Sequence, residues 1–116
     1  MAIFRVKNLL VRTIIGFNSE ERHNKQDVII NLEIQVELPP NVYADQQDDI
    51  YDYKLITKQI ITLVQESDFN LLENLTKAIL DQIMLDKRVQ RAKVEVDKPH
   101  ALRFAESVSV ELEESR

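Results

Sequence analysis

The chain predicts an α+β domain: one four-stranded antiparallel sheet with two helices on one face. Apolar and polar residues alternate from 28 to 38 and again in the tail, which marks strands. Between them the apolar spacing lengthens to a helical period over two consecutive stretches. At 116 residues the chain is large enough for one core and too small for two, so residues 1–116 are read as a single domain.

Residues 3 to 15 open the chain with Val6, Leu9, Val11, Ile14 and Ile15, a β-rich run that stops at Gly16, the chain's one glycine. A lone glycine at a strand end suggests backbone that other residues resist. The polar loop Asn18 to Gln26 follows. From Val28 to Leu38 the even positions are apolar and the odd ones mostly polar, until Pro39-Pro40-Asn41 stops the strand. At the usual rise that strand spans roughly 35 Å, and long edge strands need cover or a partner. Ile56, Ile60, Leu63 and Val64 form the first helical stripe after Tyr53, with Asp45, Asp48, Asp49 and Asp52 placed to favour its N-terminal dipole. Ser67-Asp68-Phe69-Asn70 connects it to a second stripe of Leu72, Leu75, Ile79 and Ile83. Ala92, Val94 and Val96, then Val108, Val110 and Leu112, return to period two. The predicted order is β-β-α-α-β-β.

The net charge of −5 leaves no basic footprint for nucleic acid. No apolar run is long enough to span a bilayer and no secretory signal is visible, so a cytoplasmic protein without membrane partners is expected. Cysteine is absent, which removes disulfides, thiolate catalysis and cysteine metal sites. His23 and His100 cannot build a three-histidine zinc site. No metal is expected.

Several residues could carry chemistry. Pro99 removes a ladder donor, so the strand from Ala92 should end near Lys98 and hold that amine at the lip of the sheet. There it could move a proton or hold an anion. Asn70-Leu71-Leu72-Glu73 has the spacing of a helix capping box, in which Glu73 would serve its own backbone. The other reading turns the Glu73 carboxylate toward a flat heterocycle with adjacent N–H donors. Glu20 and Glu21 form a solvated loop pair or a catalytic one, and Tyr53 is either packed at the helix start or an acid.

Taken together, Ile14-Ile15-Gly16, Glu21, Gln26, Asn70-Leu71-Leu72-Glu73 and Asp97-Lys98-Pro99 resemble the dihydroneopterin aldolase family across nearly the whole chain. The ending from Asp97 through His100, Arg103 and Phe104 to Ser109 is similar to one branch, the dihydroneopterin triphosphate 2'-epimerases. The resemblance implies a tunnelling fold, in which subunits form tetrameric rings, two rings stack into a homo-octamer, and sites lie between neighbours. It implies that Glu73 anchors a pterin with the backbone of Leu72 assisting, and that Lys98, Glu21 and Tyr53 carry the acid–base steps. Because the pterin ring is itself the electron sink, no cofactor is implied. His100 and Arg103 are candidates for the triphosphate, Arg103 alternatively pairing with Glu106. Three activities are open: epimerisation at C2', aldolase cleavage with release of glycolaldehyde, or a non-catalytic pterin-binding or structural ring. The third would be favoured by the direct passage from Asp52 to Tyr53, where the family pattern usually places about three more residues.

Overall fold

The computed structural model describes residues 1–46 and 50–116; Asp48 and Asp49 of the predicted acidic cluster lie outside the described residues. The elements are β1 (Ala2–Thr13), α1 (Ser19–His23), β2 (Gln26–Val36), a 3-10 turn at Val42–Ala44, α2 (Tyr53–Glu66), α3 (Leu72–Met84), β3 (Val89–Pro99) and β4 (Ser107–Ser115). The sheet is antiparallel throughout, in the order β1-β2-β3-β4. This is the predicted α+β layout, with α1 and the 3-10 turn added. Both are single short turns, five and three residues long, too short to produce a helical stripe.

The core lies between the sheet and the two long helices. Val28, Ile30, Ile34 and Val36 of β2 are fully buried, as are Val94 and Val96 of β3, Ile60 and Val64 of α2, and Leu75, Ile79 and Ile83 of α3. Helix α2 packs on β1, and α3 on β3 and β4. The opposite face carries charge. Cross-strand ion pairs join Arg5 to Glu33 at 3.1 Å and Glu33 to Arg91 at 2.8 Å, and Arg91 also pairs with Glu113.

One irregularity decides which residues of β1 reach the core. Phe4 and Val6 face the helices from even positions, whereas Val11 and Thr13 are buried at odd ones. The register shifts between Val6 and Leu9, where Asn8 adopts φ 55 and its amide donates to Asn31 Oδ1 at 2.9 Å. This bulge reverses the parity of the strand, and without it Val11 and Thr13 would point away from the core.

Asp52 is the N-cap of α2, its carboxylate accepting from the amides of Lys54 and Leu55, both at 3.0 Å. Tyr53 is therefore the first helical residue, and the direct passage from Asp52 is a regular helix start. No helix is long and apolar enough to cross a membrane among the described residues.

Candidate functional site

The end of the sheet where β3 meets its turn gathers most of the candidate side chains. Lys98 continues the inward row of Ala92, Val94 and Val96, so its stem follows the core face to the rim. Its ammonium meets the Glu21 carboxylate in an ion pair, with side-chain exposures of only 15% and 21%. Gln26, the first residue of β2, braces the pair: its amide donates to Glu21 Oε2 at 3.2 Å and to the carbonyl of Ile15 at 3.0 Å. The hydrogen bond from Lys98 holds the Glu21 carboxyl below the usual glutamate range against the opposing effect of burial, and Gln26 adds to it.

Glu21 reaches this position because the turn after β1 is built around it. Asn18 caps α1, accepting from the Glu21 amide at 2.9 Å, while Glu21 Oε1 accepts from the Asn18 amide at 3.4 Å. These reciprocal bonds are a capping box. Gly16 has φ +122, and a Cβ there would stand 2.2 Å from the Glu21 carboxyl carbon. The glycine supplies both a left-handed backbone and the space the carboxylate fills. A cavity of about 220 Å³ lies beside it, lined by Asn18, Glu20, Glu21, Asn24 and Gln26. A larger groove of about 660 Å³ runs between α2 and α3 past Leu63, Phe69 and Gln82, and none of the candidate residues lines it.

The capping box expected at Asn70 and Glu73 does not form. Helix α3 begins one residue later, with Leu71 as an N-cap that makes no side-chain bond. The preceding segment is already committed, since Phe69 O accepts the Gly16 amide at 3.2 Å and Leu71 is extended. Glu73 is left exposed in the first turn of α3. The first helical bonds are donated by Asn74 and Leu75, so the amides of Leu72 and Glu73 project beyond the helix start. Leu72 itself buries its side chain. A carboxylate beside two such amides can bind a planar group that both donates and accepts.

Tyr53 is not at this end. It is half exposed, and its ring stacks on Phe4 with centroids 6.0 Å apart. Phe4 pairs with Ile34, which pairs with Ala92, six residues before Lys98 on β3. The sheet thus separates Tyr53 from Lys98 by roughly 20 Å within one chain. Within one chain, then, Lys98 and Glu21 meet while Tyr53 stands at the far end of the same face.

His100 and Arg103 lie in the β3–β4 connection, at the Lys98 end. His100 takes φ 61 and its amide donates to Glu106 O at 3.2 Å, which closes the turn. Both side chains are exposed. The alternative pair between Arg103 and Glu106 is absent among the described residues; the guanidinium lies over Phe104, 5.5 Å from the ring centroid. Arg103 therefore keeps its fork of donors open to solvent. Gln26 and Asn18 had no assigned role in the sequence. The signal for Asn18 was its spacing to Glu21, the same Asn-x-x-Glu spacing that was weighed at Asn70.

Comparison with known proteins places this geometry in context. A family model described as dihydroneopterin aldolase matches residues 4–113. A Pseudomonas aeruginosa protein named dihydroneopterin triphosphate 2'-epimerase is 52% identical over 112 residues, covering 97% of this chain and 91% of its own length. An Escherichia coli K12 protein of the same name is 43% identical over 111 residues, covering 96% of this chain and 92% of its own. The structure of E. coli dihydroneopterin aldolase in complex with neopterin superimposes with a TM-score of 0.91 at 22% identity, covering 99% of this chain and all of that one. A Burkholderia dihydroneopterin aldolase bound to guanine gives 0.84 at 24% identity, with 99% and 91% covered. At those identities the two structures speak to the fold, which is the tunnelling fold expected from the resemblance. The chain is a member of the dihydroneopterin aldolase family.

Proposed function

We propose that the protein is an epimerase that inverts C2' of the side chain of 7,8-dihydroneopterin triphosphate, giving the dihydromonapterin form. The observation that carries this reading is the partly buried Lys98–Glu21 pair, an amine and a carboxylate in contact at the rim of the sheet, at the same end as the open first turn that bears Glu73. The likeness to the Pseudomonas epimerase over almost the full length of both chains supports the choice of substrate.

In this reading Glu73 and the amides of Leu72 and Glu73 receive the aminopyrimidinone edge of the pterin. The 2'-hydroxyl then loses its proton to the Lys98–Glu21 pair, directly or through a water. As the C2' oxygen becomes a carbonyl, the C1'–C2' bond breaks, and its electron pair passes into the N5=C6 imine of the ring. The charged Lys98 ammonium supports the negative charge that develops on the side-chain oxygen. The aldehyde fragment turns within the site, C1' adds to its opposite face, and the proton returns to the 2'-oxygen. His100 and Arg103 hold the triphosphate, which keeps the fragment from leaving. Tyr53 reaches the site from a neighbouring subunit.

A homo-oligomer follows from that last requirement. The sheet is open, and its edge strands β1 and β4 are twelve and nine residues long. Long free edges favour continuation of the sheet into another copy, and a ring of four, stacked in pairs to an octamer, satisfies every edge. Incubation with dihydroneopterin triphosphate should yield a diastereomeric pterin whose side chain is intact. Free glycolaldehyde as the main product from dihydroneopterin would instead establish the aldolase reading. Pterin binding without conversion of either compound would leave a non-catalytic ring.

A further inference from the structure

We propose that Arg22 is a positioning residue, one that fixes the Glu21–Lys98 pair relative to the first turn of α3. The proposal rests on the functional reading above and extends it to a side chain that touches neither the pair nor Glu73. Arg22 follows Glu21 on α1, a helix of five residues, too short to persist on its own. Its Nη1 donates to the carbonyl of Asp68 at 2.7 Å and reaches those of Gly16 at 3.4 Å and Phe69 at 3.5 Å. Its Nη2 lies 3.5 Å from Asp68 Oδ2. One guanidinium therefore joins the turn that carries Glu21 to the segment that leads into Leu72 and Glu73.

Two further bonds run along the same seam. The Gly16 amide donates to Phe69 O at 3.2 Å, and the fully buried Thr13 donates its hydroxyl to Ser67 O at 3.0 Å. These are contacts of the strand and the turn, and neither involves α1. Arg22 adds a tie from α1 to the α2–α3 connection, and so helps fix the direction of the Glu21 carboxylate that Lys98, Gln26 and the capping box hold. The planar fork sets Nη1 at the carbonyls and Nη2 at the Asp68 carboxylate, two positions that a single ammonium nitrogen cannot occupy at once. The seam thus sets the distance between the groups that move the proton and the group that grips the base. Small errors in such distances cost rate steeply.

The test uses the full-length protein with Arg22→Leu and Arg22→Lys, each checked for folding by circular dichroism and thermal melting. The readouts are kcat and KM across pH, and the titration of the Glu21 carboxyl followed by carbon NMR. The charged group facing that carboxyl from β3 is Lys98, while β2 offers the neutral Gln26. Glu20, Arg22 and His23 flank it on α1, and Asp68 faces Arg22 from the α2–α3 connection.

In Arg22→Leu the contact with Lys98 is less often made, so Glu21 should titrate closer to an ordinary glutamate. The acid limb of kcat/KM should move up with it, and kcat should fall by about 10- to 100-fold. Arg22→Lys should lie between, since its one nitrogen cannot serve the carbonyls and the Asp68 carboxylate from both positions. If the leucine variant does not fold, the lysine variant carries the test alone. A wild-type Glu21 titration and an unmoved acid limb in the folded variants would overturn the proposal, whatever happens to the melting temperature. Should the native protein convert no pterin, the functional reading fails, and the NMR titration still decides whether Arg22 positions Glu21.

Discussion

The two ends of the helix-covered face of the sheet are held together by different physics. At the Lys98 end the side chains are polar and fixed by directed bonds: Lys98 to Glu21, Gln26 to Glu21 and Ile15 O, Arg22 to the carbonyls of the α2–α3 connection. At the other end Phe4 lies between Tyr51 and Tyr53, with centroids at 5.5 and 6.0 Å, and Arg88 covers the Tyr51 ring at 5.7 Å. One end can hold charge and move protons. The other offers flat apolar faces and an exposed phenol. A flat, hydroxylated substrate calls on both, yet the sheet keeps them far apart in any one chain. In the proposed assembly each chain would carry two half-sites, so the two ends matter to assembly as much as to chemistry.

The largest effect should come from the polar end. Lys98→Ala is expected to lower kcat by about 10²- to 10⁴-fold while leaving pterin affinity nearly unchanged. Equal losses in both quantities would make Lys98 a binding residue instead. Glu73→Gln should do the reverse, weakening pterin affinity by roughly 1–3 kcal/mol, because one acceptor oxygen becomes a donor facing a donor. Titration of pterin fluorescence measures this, and unchanged affinity would remove Glu73 from the site.

Gly16→Ala comes next. It places a β-carbon on the Glu21 carboxylate and an alanine at φ +122, at about 1–3 kcal/mol of stability by denaturant melts. Turnover should fall alongside, since the carboxylate must move.

The smallest effects separate the two ends by pH. Glu21 is held below its ordinary value of 4.5 by Lys98, so the stability it contributes is complete above 4.5 and is lost as pH falls through the lower folded value. Tyr51 behaves in the opposite sense. Burial, reinforced by the charge of Asp86, pushes its phenol from 10.0 up to about 12. Its stabilising effect is complete below 10 and declines as pH rises from there toward 12, because the unfolded phenol ionises first. Amide exchange should report opening at the Glu21 turn first in acid and around Tyr51 first in alkali. Tyr51→Phe should abolish the alkaline loss, and an unchanged alkaline loss would contradict the assignment.

The fold was largely legible in the sequence, because its strands and long helices bury continuous faces and so leave clean periods. Val28 to Val36 and Ile56 to Val64 are the plainest cases. The bulge at Asn8 was not read, although the change from even to odd burial between Val6 and Leu9 records it. The site was legible in its residues and less so in its geometry. Asn18-x-x-Glu21 and Asn70-x-x-Glu73 have the same spacing, yet only the first forms a capping box. What separates them is tertiary: Phe69 O is taken by the Gly16 amide and Asp68 O by Arg22, so α3 starts late and Glu73 is released. No local pattern encodes that. The separation of Tyr53 from Lys98 was likewise invisible, because it depends on the strand register and not on spacing along the chain.

The measurement closest to the central claim is complementation between two damaged subunits. Lys98→Ala and Tyr53→Phe proteins are each expected to be poor catalysts, and they should be unfolded together and refolded as a mixture. If each site takes Lys98 from one copy and Tyr53 from its neighbour, random pairing restores about a quarter of the sites to the native pair, and activity should return in that proportion. A mixture that co-assembles yet stays no more active than the average of its parents would contradict the shared site.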